Sequence, residues 1–220
     1  MIDAVIFDMD GVIVDSQKVA NAMLLEMCHR VGAQATDEDI RHLQGISGIE
    51  FWEYMKAKYG LTGDPVEYEG LYDEDAEIRA YEGLEPQPGI VDLLHELQAR
   101  GIKLALATSA SRKRMTAVVA LYALGDVFGA LVCRDDITKS KPDPEIFLAA
   151  AAKIGVEPES CVVIEDATNG VRAAKAAGMH CIGYVNANSG NQDLSEADLI
   201  ITEYGTLSVE TLLALDTATS

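Results

Sequence analysis

The stretch Ile2-Asp3-Ala4-Val5-Ile6-Phe7-Asp8-Met9-Asp10-Gly11 decides how the rest of the chain is read. Its apolar run has the pattern of a buried strand, and it stops in two carboxylates and a glycine that permits a turn. So apolar a strand needs sheet partners, and these come much later. Beyond Pro86-Gln87-Pro88-Gly89, strand and helix alternate. Helices are predicted over 90–100, 111–124, 143–154 and 169–177, and strands over 103–107, 130–133, 161–164 and 180–185. Segments at 199–201 and 209–215 complete the series. That alternation argues for an α/β fold built on a parallel sheet with helices on both faces. The first strand belongs to the same sheet.

Between Ser16 and Glu82 the texture is helical, with no convincing strand. Ser16 is placed to cap a helix running to Val31, whose Val19, Met23, Leu24, Met27 and Val31 recur at helical spacing. Thr36 caps a second helix, a third covers 48–59, and a fourth covers 64–81. Phe51, Trp52 and Tyr54 read as the core of this block, and the acids between Asp64 and Glu77 as a solvated helix face. The chain therefore divides into a core, 1–15 with 83–220, and a helical insertion over 16–82.

Seventeen Lys and Arg against thirty-six Asp and Glu give a net charge of −19. No basic stripe exists to displace counterions, so nucleic acid is not an expected partner. Apolar stretches such as 148–152 fall far short of the ~20 residues of a membrane span. The N-terminus carries no basic patch of a secretory signal. Cys28, Cys133, Cys161 and Cys181 are scattered, without metal-ligand spacing. A reducing, cytoplasmic setting and a monomer are the expectation.

Ligands of an open parallel sheet bind beyond the carboxyl ends of the strands. There the sequence places Asp8 and Asp10, then Thr108 and Ser109, then the loop holding Lys139 and Lys141, then Glu165 and Asp166. Four acids at one place repel one another unless a cation joins them, and hard oxygen donors suit Mg²⁺. A carboxylate can attack phosphorus, and a second carboxyl two residues on can protonate the leaving oxygen and then activate water. Lys141 and the Thr108 hydroxyl would hold the transferring phosphoryl oxygens. Each motif has a plainer use by itself: a turn after a strand, a helix cap, an exposed lysine, an acidic helix start. All four falling together at strand ends argue for chemistry.

These motifs, Asp8-Met9-Asp10-Gly11-Val12-Ile13-Val14-Asp15-Ser16, Thr108, Lys141-Pro142-Asp143-Pro144 and Ile164-Glu165-Asp166-Ala167-Thr168-Asn169-Gly170, together resemble the haloacid dehalogenase superfamily. The β-phosphoglucomutase-like phosphatases are the branch they resemble most. The resemblance implies a Rossmann-like core with an inserted helical cap. It also implies Asp8 as nucleophile, Asp10 as general acid/base, and Thr108, Ser109 and Lys141 as phosphate-binding. The Mg²⁺ ligands it implies are Asp8, Asp10, Glu165 and Asp166. Dehalogenation is disfavoured, since those relatives lack the second acid. The mutase branch has an Arg after a Gly-x-Ser in its cap, where this chain has Gly48 after Gly45-Ile46-Ser47. It also has a cap His near where Ala20 and Asn21 stand. The expected function is hydrolysis of small phosphorylated metabolites, such as sugar phosphates, by a phosphoric monoester hydrolase. Mutase activity and a non-catalytic metabolite-binding module are the alternatives. Gly45, Ser47, Lys18, Arg41 and Arg112 are candidate specificity residues.

Overall fold

Six parallel strands form one sheet in the order β3-β2-β1-β4-β5-β6. They are β1 (Ala4–Phe7), β2 (Lys103–Ala107), β3 (Ala130–Val132), β4 (Cys161–Glu165), β5 (His180–Tyr184) and β6 (Leu199–Ile201). The opening stretch of the chain lies at the centre, and all four β1 residues are fully buried. Register aligns Phe7 with Leu106 on one side and Ile164 on the other. The carboxyl ends of β1, β2 and β4 therefore finish level, and their following residues share one rim.

The computed structural model describes residues 1–43 and 48–217 and separates into two compact units. One is Met1–Asp15 with Leu84–Ser220, and the other is Ser16–Gly83. The second unit holds α1 (Gln17–Arg30), α2 (Asp37–His42), α3 (Gly48–Tyr59), α4 (Pro65–Glu69) and α5 (Glu74–Tyr81). Its core gathers Met27, Cys28, Ile40, Phe51, Trp52 and Met55. Thr36 and Asp39 cap α2 reciprocally: Thr36 N donates to Asp39 Oδ2 at 2.9 Å, and Asp39 N donates to Thr36 Oγ1 at 3.4 Å.

Four expectations for this unit need correcting. Ser16 precedes α1 in helical backbone geometry, and its side chain makes no cap hydrogen bond. The helix expected over 64–81 is two helices, because Asp73 takes extended geometry and its carboxylate accepts from Ala76 N, starting α5 afresh after Gly70. Glu77 is not part of a solvated face: it is fully buried, accepting the Tyr81 hydroxyl at 2.6 Å. Tyr54 is exposed, whereas Phe51 and Trp52 are core as expected.

The sheet unit carries α6 (Ile90–Ala99), α7 (Arg112–Leu121), α8 (Glu145–Ile154), α9 (Thr168–Ala176) and α10 (Val209–Leu213). The α8 helix packs on β1, β2 and β3, and α9 on β4 and β5. Small and branched residues fill that face, among them Ala105, Val132, Ala150, Val163 and Ala174. All four cysteines are free and buried, with burial pushing the Cys28 and Cys161 thiols up to about 11. Among the described residues no helix is long and apolar enough to cross a membrane.

Candidate active site

Asp8 follows the last residue of β1 and is held against β4 by its N–H, which donates to Ile164 O at 3.0 Å. Its carboxylate is buried, and Lys141 Nζ donates to its Oδ1 at 2.6 Å. The same ammonium donates to Glu165 Oε1 at 2.8 Å and sits 4.7 Å from the centre of the Phe147 ring. Lys141 reaches this place from the loop between β3 and α8. The Glu145 carboxylate closes that loop by accepting from the N–H groups of Thr138 and Lys139. Glu165 ends β4, and its other oxygen accepts Ala167 N at 2.7 Å. The Thr108 hydroxyl is fully buried just past β2, where it accepts Ala110 N at 3.0 Å.

Asp166 is buried beside them and accepts the Ser189 hydroxyl. Ser189 lies between β5 and β6 in a short segment that also grips the chain after β1. Asn186 Nδ2 donates to Gly11 O at 3.1 Å, and Asn188 Nδ2 donates to Asp15 Oδ2 at 2.7 Å. Gly11 has φ of 83°, and a Cβ there would run into the Asp166 carboxylate. Only glycine suits both demands.

The electrostatics follow from burial and crowding. Asp8 is pushed up to about 7, chiefly by desolvation; Lys141 opposes that shift, while Glu165 and Asp10 add to it. Asp166 is raised well above the usual carboxylate range, first by burial and then by Glu165 and Asp8. Burial alone would lower Lys141, but the two carboxylates against it win and hold it above its ordinary value. Lys141 is therefore the fixed positive charge of the cluster.

The sheet thus brings Asp8, Thr108, Lys141, Glu165 and Asp166 to one rim. Asp10 follows in the turn after β1, with its carboxylate accepting Arg114 Nη2 at 2.7 Å. Ser109 lies just beyond Thr108 and is exposed. Arg112 is not brought to the rim: its Nη2 donates to Asp136 at 2.7 Å on the surface, and its N–H donates to Asp135. Lys18 is exposed on α1 of the other unit. Gly45, Ser47 and the Arg41 side chain lie outside the described residues. Sequence reading missed Arg114, Ser189, Asn186 and Asn188. Arg114 was hidden by its neighbour, since residues two apart on a helix face different ways. The loop residues carry no motif.

A hard divalent cation suits the carboxylate oxygens of Asp8, Glu165 and Asp166. Burial raises Asp8 and Asp166 first and the neighbouring carboxylates add to the rise, and such an ion offsets both effects. Among the described residues no three His, Cys, Asp or Glu side chains are gathered in ligating geometry. Lys141 stands between Asp8 and Glu165.

The sequence profile of the haloacid dehalogenase-like hydrolase family matches residues 5–184. The chain belongs to that family. Its likeness to β-phosphoglucomutases and phosphatases places it in the β-phosphoglucomutase-like branch, as an enzyme of the phosphoric monoester hydrolase class. A phosphorylated carbohydrates phosphatase of Thermotoga maritima is 30% identical, the match covering 90% of this chain and 92% of that protein. The crystal structure of a β-phosphoglucomutase from Clostridium difficile superposes with a TM-score of 0.81 at 27% identity, covering 99% of this chain and 98% of the other. The chloroplastic protein Suppressor of Quenching 1 of Arabidopsis thaliana is 33% identical over 96% of this chain, which spans only 21% of that longer protein.

Proposed function

We propose that this enzyme hydrolyses monoesters of small phosphorylated metabolites, sugar phosphates among them, with Mg²⁺ and through an aspartyl phosphate on Asp8. The observation that carries the reading is the buried Asp8 carboxylate beside Lys141 at the ends of the central strands. An Asp8 oxygen attacks phosphorus while the bond from phosphorus to the ester oxygen breaks. The Asp10 carboxyl gives its proton to that departing oxygen. Water then attacks the phosphoryl group and yields a proton to the Asp10 carboxylate; the bond to Asp8 breaks and inorganic phosphate leaves. Lys141 and the Thr108 hydroxyl hold the phosphoryl oxygens throughout. Asp8, Glu165, Asp166 and the Asp10 carbonyl would hold Mg²⁺, which when bound supplies positive charge to the transferring phosphoryl group. The helical unit over 16–82 is the cap of this reading.

The likeness to a β-phosphoglucomutase favours phosphoryl-transfer isomerisation as a second reading. Gly48 weighs against it. Where the mutase branch has an arginine, the Glu69 carboxylate crowds Gly48, so the place carries negative charge and no donor fork. The substrate class named for the Thermotoga relative supports sugar phosphates.

A panel of phosphomonoesters, with a bisphosphate-primed mutase assay beside it, tests both. Expected are inorganic phosphate release and acid-quenched protein carrying one phosphoryl group on Asp8. The Asp8→Asn variant should show neither. Isomerised sugar phosphate without phosphate release would favour the mutase.

A further inference from the structure

Asp10 sits in the turn that follows β1, where Gly11 N donates to Val14 O at 2.7 Å and Asp10 bridges to Val14. This segment is a turn and not part of the strand ladder of the sheet. Arg114, by contrast, stands on a packed element. It occupies the first turn of α7, where its N–H donates at 3.1 Å to the hydroxyl of the helix cap Ser111. Farther along, α7 is anchored by buried Met115, Val118 and Val119. From there Arg114 Nη2 donates to Asp10 Oδ2 at 2.7 Å, with the two side chains only 20% and 32% exposed. A half-buried, charge-assisted contact of this length directs its partner better than a solvated ion pair does. A carboxyl group has two oxygens, and holding one by a guanidinium fixes the direction of the other.

We propose that Arg114 is a positioning residue for Asp10, setting the angle at which that carboxyl meets the ester oxygen as it leaves. The inference rests on the phosphatase reading and adds to it a residue outside the four motifs. It makes catalysis by Asp10 depend on the first turn of α7. The contribution scales with how much the leaving group needs a proton. Alkyl phosphates release a strongly basic alkoxide unless Asp10 protonates it, whereas p-nitrophenolate leaves with little help. Misdirecting a general acid should therefore penalise one ester more than the other.

The test compares kcat/KM for a hexose 6-phosphate with kcat/KM for p-nitrophenyl phosphate, at fixed Mg²⁺, in wild type, Arg114→Ala, Arg114→Lys, Asp10→Asn and the double variant of Arg114→Ala with Asp10→Asn. In Arg114→Ala the alkyl-to-aryl ratio should fall about 10- to 100-fold, within the range set by a misplaced acid. Arg114→Lys should recover part of it, which covers the case of a poorly folded alanine variant. The double variant should fall no further than Asp10→Asn alone. An equal loss on both esters, an unchanged ratio, or a further fall in the double variant overturns the proposal while the phosphatase reading stands. Wild type inert towards both esters overturns that reading and this inference with it.

Discussion

Lys141 and Asp8 are 133 residues apart in the chain, yet Nζ and Oδ1 are 2.6 Å apart. The contact is possible because β1 is the central strand and the loop after β3 returns over its end. In the proposed reaction this ammonium binds the phosphoryl group. Lys141→Met removes that charge while keeping an unbranched side chain at the position. It should lower kcat about 10²- to 10³-fold, as loss of an oxyanion-stabilising donor does. Steady-state phosphate release measures it.

Ser189 grips Asp166 from the same segment that grips Gly11 and Asp15. Partners that orient a metal-binding carboxylate are typically worth 10- to 100-fold in affinity. Ser189→Ala should weaken Mg²⁺ binding at least about tenfold on that scale, as read by calorimetry on the metal-free protein. EDTA should silence the wild type, and added Mg²⁺ should restore it at a higher half-saturating concentration in the variant.

Gly170 offers a case where local propensity and site geometry oppose each other. It lies in the first turn of α9, and replacing a helical glycine by alanine normally stabilises by about 0.5–1 kcal/mol. A Cβ at Gly170 would collide with the Glu165 carboxylate. Gly170→Ala should therefore lose turnover at least about tenfold, because a carboxylate displaced by about 1 Å costs on that order or more. Parallel assays and melting curves separate the site effect from any change in stability.

The sheet was legible because β1 and the later strands are short apolar runs punctuated by Gly and Pro, and periodicity there agrees with burial. Asp8, Thr108, Glu165 and Asp166 were legible as neighbours because each stands at a strand end, and Lys141 because its loop follows β3. What escaped depends on contacts distant in sequence. The helix expected over 64–81 reads as continuous until Asp73 captures Ala76 N. Glu77 resembles every other acid in its run until Tyr81 closes over it. Arg112 and Arg114 are the same residue type two positions apart, and only the rotation of α7 decides which reaches Asp10. Ser189 belongs to a polar loop whose composition suits a dozen uses. Asn186, in the same loop, is recognisable only once Gly11 O is seen to accept it.

Acid should loosen the helical unit through Asp39. This carboxylate accepts from Lys58, from the Tyr59 hydroxyl at 2.6 Å and from Thr36 N at 2.9 Å. The Lys58 contact is the largest of the causes that hold it well below the usual range. An unfolded aspartate titrates near 3.9, so the native state prefers the ionised form more strongly than the unfolded state does. The stabilisation is therefore complete above about pH 4 and is lost as pH falls through the lower native value. Trp52, the chain's single tryptophan, is buried in the same cluster as Ile40 and Met55, so its fluorescence reports this unit. Urea unfolding followed at Trp52 should show Asp39→Asn less stable than wild type at pH 7. The gap should persist at pH 5 and narrow below pH 4 as wild-type Asp39 takes up its proton. A gap of constant size down to pH 2 would mean that Asp39 acts through its shape and hydrogen bonds, with its charge contributing nothing.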